Sequence, residues 1–298
     1  MAELVGSMAM SHGPQLMVPP EQWDVLHNRQ GSGLPVRPEL AGETLADKVA
    51  KWQRCKTAIE ELRRKLASWA PDVLVMVADD QHENIQDDAN PPFTVYVGDD
   101  FEASVSLSYF KEPKSANRTA YKTDRALAEA LLEQLMEAGF DPAYSKLLRY
   151  EGGLGHAFAR VLKFLTPEAG VPVVPIMVNT YYPPAPSAKR CVAFGEALAA
   201  AISRLPERRI AIIGSGGLSH TIIDEALDHG VINAIKANDL DHLACLPAAQ
   251  LTAGSSEIRN WIVTAAAANR SATIVDYVPC YRIPTGVGCG MGFAYWGA

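Results

Sequence analysis

The sequence lacks the features that define several large classes of protein. Its five cysteines are scattered, odd in number and form no CxxC pair, which argues against a disulfide framework and against a zinc–thiolate site. It has no long basic run, and its net charge is −7, so neither nucleic acid nor an anionic membrane surface is an expected partner. No stretch approaches the roughly 20 apolar residues of a membrane-spanning helix.

Internal repeats, low-complexity segments and polar linkers are also missing from the sequence. We therefore expect the 298 residues to form a single domain, 1–298. A signal peptide is not expected, because Glu3 lies where such a peptide is basic. Scattered cysteines without a disulfide framework are typical of the cytoplasm, and we expect a cytoplasmic protein.

Short apolar runs alternate with segments of helical period. The run 72–78 (DVLVMVA) is continuous and valine-rich, as in a strand that is buried on both faces. A long helix is expected between its N-cap, Thr44, and Pro71. The alternation predicts an α/β fold with a central, mostly parallel or mixed β-sheet flanked by helices. The last predicted strand is 271–279, and neither a helix nor a strand is predicted for the glycine-rich segment after it.

Three histidines follow apolar runs that read as buried strands: His12, His82 and His220. Ligands in open α/β sheets bind outside the carboxyl ends of the strands, so these side chains are expected to meet in one crevice there. Glu257 opens an amphipathic helix, and two histidines plus one carboxylate can hold non-haem Fe(II) with open positions. The third histidine is then available for acid–base chemistry. Three other histidines are expected to be ordinary surface or hydrogen-bonded residues: His27, His229 and His242.

Each of these features also has a plainer interpretation. A glutamate in the first helical turn can simply cap the helix, as Glu257 would. The glycines of 214–217 can serve a tight turn with positive φ, or they can permit close approach of a ligand and present His220. They match neither the Walker A nor the GxGxxG pattern. Ser219 lacks the GxSxG context of a nucleophile. His156, at a loop-to-helix junction, either faces a substrate or only begins a helix.

The segment after His12 runs for about 30 residues without periodicity. A loop of that length within a domain is usually functional or mobile. Because it starts directly after His12, we expect it to cover the site.

Four motifs occur in an order that is similar to the class III extradiol ring-cleavage dioxygenases, the superfamily of the protocatechuate 4,5-dioxygenase catalytic subunit. They are Ser11-His12-Gly13-Pro14, Asp79-Asp80-Gln81-His82, the run 214–220 (GSGGLSH) and the run 254–261 (GSSEIRNW). The segments 19–23 (PPEQW) and 281–296 (YRIPTGVGCGMGFAYW) most resemble the single-chain gallate and 3-O-methylgallate dioxygenases.

The resemblance implies roles for the site residues. His12, His82 and Glu257 match the family's iron ligands, so Fe(II) is the expected cofactor, and His220 matches its catalytic acid–base. His156 matches a second catalytic histidine. The sequence departs from the family at two positions: Gly155 stands where an aspartate usually precedes that histidine, and Gln81 separates the second ligand from its aspartate.

Four residues are expected to bind the substrate: Arg282, Thr285, Asn179 and Tyr281. Arg282 is the main candidate, because a guanidinium pairs with a carboxylate through two hydrogen bonds. Its plainer interpretation is a surface arginine in a C-terminal loop.

The expected function is an Fe(II)-dependent extradiol dioxygenase that uses O2 to open the ring of a catecholic aromatic acid, of the protocatechuate, gallate or 3-O-methylgallate type. A zinc-dependent hydrolase with the same two histidines and one glutamate is an alternative, and so is a non-enzymatic binding protein of the same fold. The expected partners are a small aromatic diol and O2, and the expected assembly is a homodimer or higher homo-oligomer.

Overall fold

The computed structural model describes residues 1–26 and 33–297. The prediction for His27, and part of the segment expected to cover the site, lie outside the described residues.

The elements lie in the following places. The strands are β1 (Glu3–Met10), β2 (Val73–Ala78), β3 (Phe93–Tyr96), β4 (Asp100–Ser104), β5 (Arg118–Lys122), β6 (Ala143–Ser145), β7 (Val173–Val178), β8 (Arg209–Ser215), β9 (His220–Ile222), β10 (Thr273–Tyr281) and β11 (Val287–Trp296). The helices are α1 (Leu45–Trp69), α2 (Arg125–Glu137), α3 (His156–Leu165), α4 (Ala188–Arg204), α5 (Glu225–Ala237), α6 (Leu240–Ala244) and α7 (Ile258–Ala268). Short 3-10 turns lie between them, and the turn Ala253–Glu257 leads directly into α7.

A mixed sheet forms the centre of the described chain. Its strand order is β10-β11-β1-β8-β2-β7-β3-β6, and β9 pairs with β11. The neighbours β1, β8, β2 and β7 are parallel, whereas β11 and β3 join them antiparallel. Strands β4 and β5 form a separate hairpin. The predicted α/β fold with a mostly parallel or mixed central sheet is confirmed.

Helices cover both faces of the sheet, which explains why the sequence of β2 is apolar throughout. Val73, Val75 and Val77 pack into the core on the side of α4 and α7. Leu74 and Met76 pack into the core on the opposite side, with α1 and α3. Successive side chains of a strand point to opposite faces, so a strand with helices on both sides needs apolar residues at every position.

Helix α1 begins and ends where the sequence predicts. The Thr44 hydroxyl accepts a hydrogen bond from the amide of Asp47, and the Asp47 carboxylate accepts one from the amide of Thr44. This reciprocal pair satisfies two of the amides left without partners at a helix start. The helix ends at Ala70, which adopts a left-handed conformation, just before Pro71.

Strand β11 was not predicted, because glycine is depleted in strands and its sequence is rich in glycine. The glycines permit close contacts instead. A Cβ at Gly290 would lie less than 3.0 Å from the Asp228 carboxylate, and one at Gly292 would lie 3.0 Å from Trp261.

The parallel strands end at one edge of the sheet, and this edge positions the site. His12 follows β1, Asp79 follows β2, and Gly216 follows β8. No helix among the described residues is both long and apolar enough to cross a membrane.

Candidate metal centre and active site

His12 is buried and held in one tautomer. Its Nδ1 lies 3.0 Å from Ser215 Oγ, and that hydroxyl donates its own proton to the Ala157 carbonyl at 2.5 Å. Ser215 therefore accepts the Nδ1–H of His12, which leaves Nε2 unprotonated and 3.7 Å from Oε2 of Glu257. Burial lowers the pKa of His12 to about 3, so the imidazole is neutral near pH 7. A neutral imidazole oriented through its second nitrogen is the usual form of a metal ligand.

The Glu257 carboxylate is fully buried and does not cap α7. It accepts hydrogen bonds from the amide of Gly217 at 2.9 Å and from Nε2 of Gln81 at 2.6 Å. Burial opposes its ionisation, but His220, His12 and the Gly217 amide outweigh this effect and hold the pKa of Glu257 well below its usual range. The structure therefore favours the site interpretation of Glu257 over the capping interpretation.

Asp79 completes a group of three possible metal ligands. Ligand atoms of His12, Asp79 and Glu257 lie within 4.8 Å of one another, and all three residues are buried. Neither carboxylate oxygen of Asp79 has a hydrogen bond of good geometry among the described residues, although the Gln81 amide lies close enough to oppose the rise in its pKa. Burial and the Glu257 charge raise the pKa of Asp79 well above its usual value. Two buried carboxylates beside a neutral imidazole fit a divalent cation, which would neutralise the pair and occupy the unused oxygens.

His82 is not part of this group. Gln81 and His82 both have positive φ, 44° and 59°, so the chain turns sharply just after β2. The ring of His82 stacks on Tyr182 with centroids 3.3 Å apart, and its Nε2 lies 3.2 Å from Oδ1 of Asp87. His82 still lines the same cavity as His12 and Glu257. The turn brings Gln81, rather than His82, onto the carboxylate of Glu257.

His220 lies beside the metal group. Its Nε2 is 3.4 Å from Oε1 of Glu257, and its Nδ1 is 3.2 Å from the Leu218 carbonyl. Burial disfavours its protonation, but the Glu257 carboxylate more than offsets this and raises the pKa of His220. A Cβ at Gly217 or at Gly254 would lie less than 3.0 Å from the ring. The glycines therefore leave the space in which His220 is presented, as the close-approach interpretation expects.

His156 is oriented by the carboxylate of Glu83, a residue that was not predicted from the sequence. The Glu83 Oε2 accepts hydrogen bonds from both the amide and the Nδ1 of His156, each at 3.0 Å. Any Cβ at Gly155 would lie less than 3.0 Å from Glu83. The departure from the family pattern at Gly155 thus makes room for Glu83. The His156 ring meets that of His12 edge-on, with centroids 5.2 Å apart, so it belongs to the same site.

These groups line one cavity of about 830 Å³. Of the four predicted substrate-binding residues, Arg282 lies in its wall. The Asn179 side chain instead binds the backbone of Tyr182 and Pro184 and holds a turn. The Tyr281 hydroxyl donates to Glu225, away from the cavity, because neighbouring residues of a strand point in opposite directions. Thr285 lies in the connection from β10 to β11 and does not line the cavity.

Arg282 is buried rather than a surface residue, with 4% of its area exposed. Its Nη1 donates to the Leu26 carbonyl at 2.5 Å, and its Nη2 donates to Oε1 of Gln15 at 3.1 Å. The guanidinium therefore holds the segment after β1 against the cavity. The cavity is also lined by polar residues that were not predicted from the sequence as site residues, among them Gln81, Glu83, Tyr150 and Arg160. Gln81 and Glu83 flank His82, which is the only signal that could have drawn attention to them.

Comparison with known proteins finds relatives that match part of the chain. A 2,3-dihydroxyphenylpropionate/2,3-dihydroxicinnamic acid 1,2-dioxygenase from Rhodococcus sp is 30% identical over 164 residues, which are 55% of this chain and 48% of that protein. The protein of the same name from Klebsiella pneumoniae (strain 342) is 32% identical over 163 residues, 54% of this chain and 48% of its own. This chain therefore covers about half the length of the relatives that it matches. A crystal structure of an uncharacterised Escherichia coli K12 protein matches 97% of this chain and 99% of its own, with 16% identity and a TM-score of 0.49.

A family model covers nearly the whole sequence. It is described as the catalytic LigB subunit of aromatic ring-opening dioxygenase and matches residues 8–291. The resemblance to class III extradiol dioxygenases is thereby confirmed, and the chain belongs to the LigB family of aromatic ring-opening dioxygenases.

Proposed function

We propose that this chain is an Fe(II)-dependent extradiol dioxygenase that uses O2 to open the ring of a catecholic aromatic acid beside the diol. The observation that carries the proposal is the buried group of His12, Asp79 and Glu257, with His220 next to Glu257 in the wall of one cavity. When bound, Fe(II) supplies the electron transfer between diol and O2 and lowers the pKa of a coordinated phenol.

His220 is the proposed acid–base. Its Nδ1 proton is directed at the Leu218 carbonyl, so Nε2, which faces Glu257, is the nitrogen on which a substrate proton is gained and lost. Gly217 and Gly254 leave room for the ring at this position. His156, fixed through Nδ1 by Glu83, has Nε2 left for a second hydrogen bond to the substrate.

The proposed ligands of the metal are His12, Glu257 and Asp79. The family pattern assigns the third position to His82, but Asp79 has the ligand atom that lies within 4.8 Å of the other two. Gln81 then acts as a support, because its amide orients the Glu257 carboxylate. Such supporting hydrogen bonds usually contribute about 10–100-fold to metal affinity or activity.

Anaerobic reconstitution with Fe(II) tests the proposal. The loaded protein is mixed with oxygenated buffer and each member of a panel: catechol, protocatechuate, gallate, 3-O-methylgallate and 2,3-dihydroxyphenylpropionate. We expect O2 uptake and a yellow ring-opened product with at least one of the carboxylated diols. An iron-loaded protein that consumes no O2 with any of them would contradict the proposal. Hydrolysis of an ester by the zinc-loaded protein without O2 would favour the hydrolase.

A further inference from the structure

Arg160 is a buried cation whose hydrogen-bonding capacity is largely unused by the protein. It lies in α3, lines the cavity and is 8% exposed. Its guanidinium donates one hydrogen bond, from Nη1 to the His12 carbonyl at 3.3 Å. Its Nε has no acceptor among the described residues. An arginine offers five N–H donors, and buried donors are almost always paired. Arg160 therefore has the capacity for a ligand with several acceptor oxygens.

Another buried arginine shows what a purely structural role looks like in this protein. Arg259 is 4% exposed, yet its guanidinium donates to four backbone carbonyls. The acceptors are those of Pro186, Thr180, Leu251 and Ser256. Among the described residues, the fold thus supplies acceptors to both Nε and Nη1 of Arg259, whereas for Arg160 it supplies one to Nη1 and none to Nε.

The surroundings of Arg160 favour an anion. Its charged neighbours are Arg282, Glu83 and Glu257. One oxygen of the Glu83 carboxylate, Oε2, already accepts two hydrogen bonds from His156, and no ion pair joins Glu83 to Arg160 in the described structure. The wall of the cavity next to His12 therefore holds two guanidinium groups without a carboxylate ion-paired to either of them in the described structure.

We propose that Arg160 binds the carboxylate of the aromatic substrate, and that Arg282 contributes a second positive charge to this subsite. The inference rests on the proposed function and names the group that the enzyme reads on its substrate. It also moves the main carboxylate-binding role from Arg282 to Arg160. The Nε of each arginine has no acceptor among the described residues, but both Nη atoms of Arg282 already have protein acceptors. The hydrogen bond from Arg160 to the His12 carbonyl places the subsite directly beside the metal group.

Binding without O2 tests the inference apart from turnover. Anaerobic calorimetry on the Fe(II)-loaded protein compares each of two acids, protocatechuate and 2,3-dihydroxyphenylpropionate, with its primary amide. Hydrogen bonds to charged groups usually contribute about 1.5–3 kcal/mol, so at least one acid should bind roughly tenfold or more tightly than its amide. Equal affinity of wild type for acid and amide in both pairs would overturn the inference without any mutation.

Variants then assign the preference to a residue. Arg160→Gln should bind acid and amide alike. The matched control is Arg149→Gln, which removes an exposed arginine at the rim of the same cavity and should keep the preference. If Arg160→Gln does not fold, Arg160→Lys keeps the charge and should retain part of the preference. A folded Arg160→Gln protein that still prefers the acid would exclude Arg160 as the carboxylate-binding residue.

Turnover separates the two proposals. If the acids bind with an Arg160-dependent preference but no O2 is consumed, the dioxygenase proposal fails and the carboxylate subsite stands. If O2 is consumed with equal KM for acid and amide, the subsite fails and the dioxygenase stands.

Discussion

Asp79 and His82 lie three residues apart, and each is a candidate for the third ligand of the metal. Asp79 directly follows β2, and neither of its carboxylate oxygens has a hydrogen bond of good geometry among the described residues. The ring of His82, in contrast, stacks on Tyr182. Asp79→Asn keeps the shape but removes the charge, and we expect its Fe(II) affinity to fall by more than the roughly 10–100-fold typical of a supporting residue. His82→Gln should keep its metal. Competition with a chelator of known affinity measures both. Loss of metal from the His82 variant alone would restore the family assignment.

His220 should be needed for turnover but not for metal. Its Nε2 lies beside Glu257 and not within the group of His12, Asp79 and Glu257. We expect His220→Gln to bind Fe(II) and substrate normally and to lose roughly 10²–10⁴-fold in kcat, the usual contribution of a general acid–base. Metal content and O2 uptake are measured on the same sample. A parallel fall in both would make His220 a ligand.

The residues that sequence alone could predict are those with a positional signal. His12, His220 and Glu257 follow strands or begin a helix, and the structure brings them together. The placement of His82 could not be predicted, because it depends on positive φ at two non-glycine residues, a conformation that few such residues adopt. Arg160 and Glu83 could not be predicted either, because a helical arginine and a loop glutamate usually lie on the surface.

At the scale of elements, the turn Ala253–Glu257 and the loop after β8 enclose the ring of His220. A Cβ at Gly254 would overlap that ring, so Gly254→Ala must displace either His220 or the turn that carries Glu257. We expect activity to fall by at least about tenfold through misplacement of the base. Gly170→Ala is the matched control, since a Cβ there meets nothing within 4 Å. A fully active Gly254→Ala enzyme would show that His220 needs no such space.

The same loop is anchored to α5 by a buried carboxylate. Asp228 accepts hydrogen bonds from the amide and hydroxyl of Ser219 and from the hydroxyl of Tyr277. Burial, which outweighs these bonds, raises the pKa of Asp228 from 3.8 to about 6. The folded state therefore holds this proton more tightly than the unfolded state, so the contribution is present below pH 4 and is lost as the pH rises through 6.

Asp228→Asn removes this titration. The difference of about two pKa units corresponds to about 3 kcal/mol at 1.36 kcal/mol per unit. Relative to wild type, the variant should therefore gain up to about 3 kcal/mol of stability between pH 4 and pH 7. Denaturant unfolding across this range measures the difference, with Asp239→Asn as a control for losing an aspartate charge, since asparagine still caps α6 at that position. A gap that stays constant with pH would show that Asp228 is not perturbed.

Strand β11 could not be predicted from the sequence, because its glycines are required by contacts with neighbouring elements and are not typical of a strand. The glycines of β11 leave room for Asp228 and Trp261, which lie against its backbone. These contacts join residues that are distant in sequence. The apolar run of β2 and the N-cap Thr44 are local signals, and both were predicted correctly.

At the scale of the whole molecule, the metal group joins segments that are far apart in the chain. His12 follows the first strand, Asp79 follows the second, and Glu257 precedes the last helix. Without a cation the fold holds two buried carboxylates within 4.8 Å of each other and of His12, an arrangement that opposes folding. A divalent metal that binds only the folded state should therefore stabilise the entire domain and not just the loops that carry its ligands.

Thermal unfolding tests this coupling. At a metal concentration of 100 times Kd, mass action stabilises the folded state by about 2.7 kcal/mol, which corresponds to a rise in Tm of roughly 5 °C for a domain of this size. Relative to wild type, the Tm of Asp79→Asn should differ in opposite directions without and with metal. Its Tm in chelator should equal or exceed that of wild type, because the variant no longer has to bury, or protonate, a carboxylate beside Glu257, and its response to metal should be nearly lost. If metal stabilises this variant as much as wild type, the cation binds elsewhere and Asp79 is not its ligand.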